Sequence, residues 1–507
     1  MFEIVKKVLI IILAASMIFG LIACRAATDP NDNGDEIVLT WIMAGPGEQR
    51  DATMVWEEFN RRLQSYEGME NVRIEFIVVS DDEYRQRFPL MLAGGRSIDI
   101  VSTWPLDFAP KVRAGHFLPL DDLIANYAPA IKDEVPDWVR QLMTINDTLY
   151  AVPNYQLMPG LNQALVMRRE QADRFFDQER AKEVFHSNPH LTQDCLDIID
   201  EYLRALRNAG DLRMGINPTS TFAARGFHSI GAWPYLIRWV DERAIVVNFW
   251  ETPEIKLAFS QFRAWFEEGF IRQDIFSISH DDTARHNGTP DGFDVWTTQS
   301  HCFTQEFLSK QIGMDILVTQ FQAHYYIPNL SLAGGVAIMA GTEHPKHAIR
   351  LIELMHTEKG RDLYNLLVFG IENVHFTRME DGRIETEHVG QGTATTNYGL
   401  WPWIVGNTKW AFETTWEEPG FKDYVFNDLN VNAIPSPFAG FTFDTSSFES
   451  NLLQIRVISG EFDRPLSTGS QANHEALYRE FMERMEIAGN SYIIENLQRQ
   501  ADAFLGQ

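Results

Sequence analysis

An alternation of β-prone runs and amphipathic helical stripes, beginning at Ile37, constrains this chain more than any other feature. Ile37–Met43 (IVLTWIM) reads as a strand closed by Ala44-Gly45-Pro46-Gly47. Asp51 is placed to cap a helix whose apolar stripe is Ala52, Val55, Trp56, Phe59 and Leu63, spaced by three and four. Val72–Val79 is a second strand. Tyr84, Phe88, Met91 and Leu92 mark a second helix, which Pro89 should kink or bound, and Ile98–Ser102 is a third strand. Such a succession predicts an α/β fold with a largely parallel sheet covered on both faces. Ligands of such sheets lie beyond the carboxyl ends of the strands, which points to Gly45–Glu48 and Thr103–Asp107.

Farther along, Leu149–Pro153, Asn154-Tyr155 and Leu161–Met167 read as a strand, a crossing and a new strand, the first hinge between two lobes. Residues 170–280 are helix-rich around an aromatic stretch, Gly231–Trp239 (GAWPYLIRW). The polar, Gly/Pro-rich Asp281–Asp294 is expected to return the chain to the first lobe. Leu332–Met339 is then expected to be a strand re-entering the second lobe, followed by an amphipathic helix over His344–Thr357. Near the C-terminus, Leu477, Phe481, Met485 and Ala488 recur at helical spacing, as do Ile493, Leu497, Ala501 and Phe504.

The N-terminus carries a different signal. Lys6 and Lys7 precede the apolar run Val8–Gly20. As a helix that run would reach about 20 Å, short of a ~30 Å hydrocarbon core. Basic start, short apolar run and small-residue exit make residues 1–23 a secretory signal. The exit, Leu21-Ile22-Ala23-Cys24, looks like a bacterial lipobox, in which Cys24 is acylated and residues 24–36 form a flexible tether. Asp29, Asn31, Asn33 and Gly34 imitate the start of a calcium loop, but the required glutamate is Thr40, so no metal is expected. With Cys24 lipidated, Cys195 and Cys302 remain, too few for a disulfide framework, and two separate buried thiols are expected.

The formal net charge of −27 argues against nucleic-acid binding, because so acidic a surface repels phosphate backbones. The chain has no Gly-x-Ser-x-Gly elbow, Cys-x-x-Cys or Gly-Lys-Ser/Thr phosphate loop, and His474-Glu475-Ala476-Leu477 ends in Tyr478 instead of a second histidine. His375 is expected to be a packed, hydrogen-bonded histidine.

Several motifs, in order along the whole chain, resemble one family. They include Phe117-Leu118-Pro119-Leu120-Asp121-Asp122-Leu123, Tyr150-Ala151-Val152-Pro153-Asn154-Tyr155, Phe369-Gly370-Ile371-Glu372-Asn373-Val374-His375-Phe376, Gly406-Asn407 and Ser436-Pro437-Phe438-Ala439-Gly440-Phe441. The chain resembles the family 1 extracellular solute-binding lipoproteins of carbohydrate ABC transporters, in their long Gram-positive-type subgroup. It departs from the pattern at Asn373, where a glycine is usual. The resemblance implies a two-lobed type II periplasmic-binding-protein fold with lobes joined by crossing strands at a hinge. Lobe one would be 37–155 plus about 285–330. Lobe two would be 156–284 plus 331–507, with a C-terminal helical extension. It also implies a monomer that closes on a ligand without transforming it, needs no cofactor and docks on ABC permease subunits.

A carbohydrate cleft needs flat aromatic platforms for C–H faces and planar polar groups for hydroxyls. Of thirteen tryptophans, Trp41 or Trp104 in lobe one and Trp233, Trp401 and Trp403 in lobe two fall where the cleft is expected, with Tyr155 at the hinge. Glu48, Asp107, Arg225 and Asn407 are the polar candidates. Trp41 lies inside a strand and has core as its alternative. Arg225, Arg238 and Arg243 could make the cleft basic enough for an acidic sugar. The rival readings are a secreted carbohydrate-active enzyme using a carboxylate pair and a binding subunit that feeds a sensor.

Overall fold

The computed structural model describes residues 36–94, 97–106, 108–158, 163–239, 241, 243–278, 292–299, 305, 308–309, 313–320, 326–327, 334–386, 396–438, 441 and 443–506. Residues 1–35, which include the expected signal, Cys24 and most of the expected tether, lie outside these residues, as do Asp107 and Cys302.

Two hydrophobic cores organise the chain. One collects side chains from Ile37–Met158 and Val336–Phe426, the other from Leu165–Leu317 and Phe438–Ala501. The chain therefore passes between the lobes within 158–165, 317–336 and 426–438.

The first lobe is built on a five-stranded sheet. Strand Ile37–Ala44 pairs in parallel with Val72–Val79 on one side and Ile100–Ser102 on the other. Strand Gly335–Ile338 follows, antiparallel to Ile100–Ser102, and Ala151–Pro153 closes the order. Ile37–Ala44 is a nearly continuous buried run, as a strand covered on both faces must be. The edge strand Val72–Val79 instead alternates, with Val72, Ile74 and Phe76 inward and Glu75 outward. The helix Ala52–Leu63 buries Ala52, Val55, Phe59 and Leu63. Asp51 makes no cap bond to that helix, because its carboxylate is engaged by Arg50 at 2.9 Å and approached by His375 at 3.4 Å. Helix Asp81–Ala93 runs on through Pro89.

The second lobe is antiparallel. Its strands are ordered Val295–Gln299, Gln163–Arg168, Ile316–Gln320. A second sheet joins Val247–Asn248, Tyr235–Arg238 and Phe227–Ala232. Helices Gln193–Ala209, Pro253–Glu267, Glu449–Ser467, His474–Ile487 and Asn490–Leu505 complete the lobe.

Two expectations about the return path are corrected here. The segment after Asp294 does not go back to the first lobe, since Val295–Gln299 and Ile316–Gln320 flank Gln163–Arg168 in the second. Nor does Leu332–Met339 enter the second lobe. Gly335–Ile338 wedges between two first-lobe strands, and helices Pro345–His356 and Arg361–Phe369 pack on the same core. The boundary 285–330 and the part of 331–507 up to Phe426 fail for one reason: a strand can be inserted antiparallel between partners remote in sequence, and no local pattern reports that. Phe438–Ala501 does lie in lobe two.

The hinge is a paired structure. Tyr326–Ile327, in the second passage, pairs in parallel with Ile434–Pro435 in the third. Buried Asn430 accepts from the Met158 N–H at 3.0 Å and donates to the Gln156 carbonyl at 2.8 Å, tying the third passage to the first. At the surface, Arg113 of lobe one approaches Asp444 of lobe two at 3.9 Å.

Candidate functional site

The carboxyl ends of the parallel strands, at Ala44, Ser102 and Pro153, emerge together with the start of Gly335–Ile338. Backbone bonds seal this edge: Thr103 N–H to the Gly335 carbonyl at 2.8 Å and Asn154 N–H to the Gly334 carbonyl at 2.9 Å. The Thr103 hydroxyl accepts from the Gly335 N–H at 2.8 Å.

Three tryptophans gather here. Trp104 lies edge-on to Trp403 at 4.9 Å and to Trp401 at 5.9 Å, while Trp401 and Trp403 stack at 5.5 Å with their planes 13° apart. These separations are those of favourable aromatic pairs. All three rings are half-buried and rest on the first-lobe core.

The chain holds this trio rigidly. Trp401 precedes Pro402, which starts the short helix Pro402–Val405 at the position where a missing N–H costs nothing. The Pro402 carbonyl accepts from the Tyr364 hydroxyl at 2.8 Å, and the Leu400 N–H donates to the Val368 carbonyl at 2.9 Å. Buried Gln49, just beyond the first strand, donates to the Thr396 hydroxyl at 2.6 Å and accepts from the Gly399 N–H at 3.0 Å. Asn154 donates to the Trp403 carbonyl at 2.9 Å. Gly334 packs closely here, since a Cβ on it would lie 3.2 Å from the Trp104 Cβ and would require a shift of a few tenths of an ångström.

The other predicted positions disperse. Trp41 is fully buried and packs against Phe76 at 5.9 Å, so its alternative as core is correct. Trp401 and Trp403 belong to lobe one, not lobe two. Tyr155 is buried at the first passage against Phe426 (4.9 Å) and Trp138 (6.3 Å), serving the hinge. Trp233, in the turn between Phe227–Ala232 and Tyr235–Arg238, is exposed on lobe two, with its ring against Phe249 and Trp250. Glu48 is exposed beyond the first strand.

Two polar candidates are internal struts. Arg225 is buried, donates to the carbonyls of Phe185 and Asn188, and lies 3.3 Å from the Cys195 sulfur; burial pushes its pKa down. Asn407, fully buried in lobe one, donates to the His356 carbonyl at 3.2 Å and accepts from the Lys409 N–H. The three arginines also fail to converge, since Arg238 pairs with Glu254 at 3.0 Å and exposed Arg243 sits 3.7 Å from Asp241.

His375 is packed, as expected. Its Nδ1 accepts from the Ile371 N–H at 2.9 Å, in a turn where Gly370 adopts φ +80° and Asn373 φ +64°. Asparagine tolerates that left-handed backbone better than most side chains, which accounts for its standing in a glycine position. Cys195 is a free, buried thiol.

Sequence reasoning missed Gln49 and Asn154. The rule that singled out Trp104, a residue just past the carboxyl end of a strand, applies equally to Asn154 after Ala151–Pro153.

Comparisons with known proteins agree with this architecture. Residues 51–163 match the family of bacterial extracellular solute-binding proteins. Residues 437–506 match a domain of unknown function, DUF3502. A carbohydrate ABC transporter substrate-binding protein of Streptococcus pneumoniae serotype 4 is 22% identical over 280 residues, covering 54% of each chain. The match thus spans about half the length of that curated relative. Among solved structures, the N-glycan transport solute binding protein NgtS of S. pneumoniae superposes with a TM-score of 0.75 at 17% identity, over 93% of this chain and 100% of that one. An extracellular solute-binding protein from Bifidobacterium longum subsp. infantis gives 0.58 at 12% identity, over 93% and 99%. The class is therefore a two-lobed α/β solute-binding-protein fold. Within it, the residues of the first lobe carry the extracellular solute-binding family match.

Proposed function

We propose that the protein is the capturing subunit of a carbohydrate ABC importer, holding an oligosaccharide between its lobes and presenting it to membrane permease subunits. The observation that carries this reading is the tryptophan trio, half-buried at the carboxyl edge of the first-lobe sheet and beside the hinge. Sugar C–H faces stack on such rings, and paired crossings allow a second lobe to swing against them. The similar S. pneumoniae relative is named as a carbohydrate ABC transporter substrate-binding protein, and NgtS has been solved with Man1GlcNAc and Man5GlcNAc. These relatives are binding proteins, which supports capture without chemistry.

The reading includes a location. The lipobox-like Leu21–Cys24 would tether the protein, through acyl chains on Cys24, to the outer face of the cell membrane. No helix among the described residues is long and apolar enough to cross a membrane. Cys24→Ser should release the protein into the medium. Retention of that variant on cells, with no lipid found on the wild-type cysteine by mass spectrometry, overturns the anchor.

Capture is tested by thermal shift against a saccharide library, because a ligand that binds only the native state raises its melting temperature. At least one neutral mono- or oligosaccharide should do so, and be recovered unchanged. No response to any sugar, or recovery of cleaved product, rejects the reading.

A further inference from the structure

We infer that a small hollow in lobe two, at the hinge edge of its sheet, is a subsite for a methyl-ended substituent of the captured sugar. The inference rests on the carbohydrate reading above and names a substrate class within it: a neutral saccharide bearing an N-acetyl or a 6-deoxy methyl group.

The hollow follows from how the strands of this lobe meet. Gln163–Arg168 begins, and Val295–Gln299 and Ile316–Gln320 end, at the edge of the sheet from which the first and second passages leave the lobe. Leu165 stands opposite Thr297, two residues in from that edge, or about 7 Å of strand. Beside them Ile216 pairs in parallel with Val295, and the Asn217 N–H donates to the Val295 carbonyl at 2.9 Å. The chain through Ile216 and Asn217 therefore runs toward the same edge. Carboxyl ends of parallel segments are where α/β sheets receive ligands, and the tryptophan trio obeys the same rule in lobe one.

A space is left between these segments. It measures about 240 Å³ with the solvent in its mouth included, and its enclosed part has room for about one group the size of a water molecule. Leu165, Ile216, Phe222, Phe262, Trp265 and Trp296 line it, all of them buried. Asn217, Thr219 and Thr297 line it as well and are half-buried, so its polar side is the one that meets solvent. No charged side chain among the described residues borders it.

The chemistry of the guest follows from that lining. A hydroxyl or a water set against the apolar side would lack the polar partners it needs, a loss that a methyl group does not incur. A uronate or phosphate would find no counter-charge and is refused. Once its methyl is seated, an acetamido group could share hydrogen bonds with the half-buried amide and hydroxyls, which both donate and accept. A 6-deoxy sugar would use the apolar side alone.

The test is calorimetric titration with two matched pairs of probes, N,N′-diacetylchitobiose against cellobiose and L-fucose against L-galactose. In at least one pair the methyl-bearing member should bind about tenfold or more tightly, the discrimination that one such group gives in an apolar pocket. A preference in the first pair assigns the hollow to an acetamido group, and in the second to a deoxy sugar. Thr297→Leu, which fills the hollow from its half-buried side, should abolish that preference while leaving the affinity for the other member within about threefold. Equal affinities in both pairs, or a lead for the member without the methyl, overturns the inference even if Thr297→Leu fails to fold. An unchanged preference in a folded Thr297→Leu places the methyl elsewhere and overturns it as well. Binding of other saccharides but none of these four probes also rejects the hollow, while capture stands. If no saccharide binds the wild type, the carbohydrate reading falls and takes this one with it.

Discussion

Trp250 and Trp265 of lobe two and the Trp104 trio of lobe one are used in opposite ways. Each lobe also holds the other kind, with Trp233 exposed on lobe two and Trp41 buried in lobe one. In lobe two, Trp250 and Trp265 are fully buried, and the indole N–H of each is satisfied, by the Ser459 hydroxyl at 2.9 Å and the Asp200 carboxylate at 2.9 Å. In lobe one, Trp104, Trp401 and Trp403 stop half-way into the core, at the open edge of a sheet. Aromatic content alone therefore does not locate a ligand.

This contrast can be broken most forcefully at Trp250. Trp250→Ala should cost about 3–5 kcal/mol of stability in a denaturant titration, as large cavities in packed cores do. A loss below about 1 kcal/mol would mean that lobe two is not the tightly packed body described here.

Acid should find a difference between the lobes next. Burial pushes His228 of lobe two down to about 3 and His356 of lobe one to about 4. An unfolded histidine titrates near 6.5, so between that value and the folded pKa the unfolded chain binds the proton first. Stability contributed by each neutral ring is complete above about pH 6.5 and is lost as pH falls toward 4 and then 3. The expected loss is on the order of 3–5 kcal/mol for His228 and somewhat less for His356. His228→Phe should flatten the pH dependence of the melting temperature more than His356→Phe does. An identical slope in both variants would remove the distinction.

At the open edge the effect should move from stability to affinity. Trp403→Ala should weaken saccharide binding by about tenfold or more, roughly 1.4 kcal/mol, as measured by calorimetry. Trp233→Ala, whose ring rests on lobe two, should change affinity by less than about threefold. Reversal of that order would transfer the site to the second lobe. The smallest effect is expected at the surface pair between lobes. Arg113→Ala should alter stability by no more than about 1 kcal/mol, and added salt should abolish the difference.

Much of lobe one was legible because its signals are local. The runs Ile37–Met43 and Val72–Val79 and the stripe Val55, Phe59, Leu63 each show their burial in three or four residues of pattern. The C-terminal stripes were equally plain, with Phe481, Met485, Ile493, Leu497 and Ala501 buried in lobe two. What sequence concealed was membership. Gly335–Ile338 looks like any apolar strand, and only its partners Ile100–Ser102 and Ala151–Pro153 assign it to the first lobe. Trp401 and Trp403 were misplaced with it, because they follow it along the chain. Arg225 misled for another reason: its charge suggested a ligand, whereas nearby main-chain carbonyls already surround it.

The two hydrogen bonds of Asn430 have a mechanical meaning. A single linker between two bodies is a swivel, free to twist as well as bend. Bonds between the homeward strap and the outward one resist that twist more than they resist bending, which would steer the second body along one arc. A sugar in the gap would then meet the same opposing wall on every closure, at the cost of any search among alternative alignments.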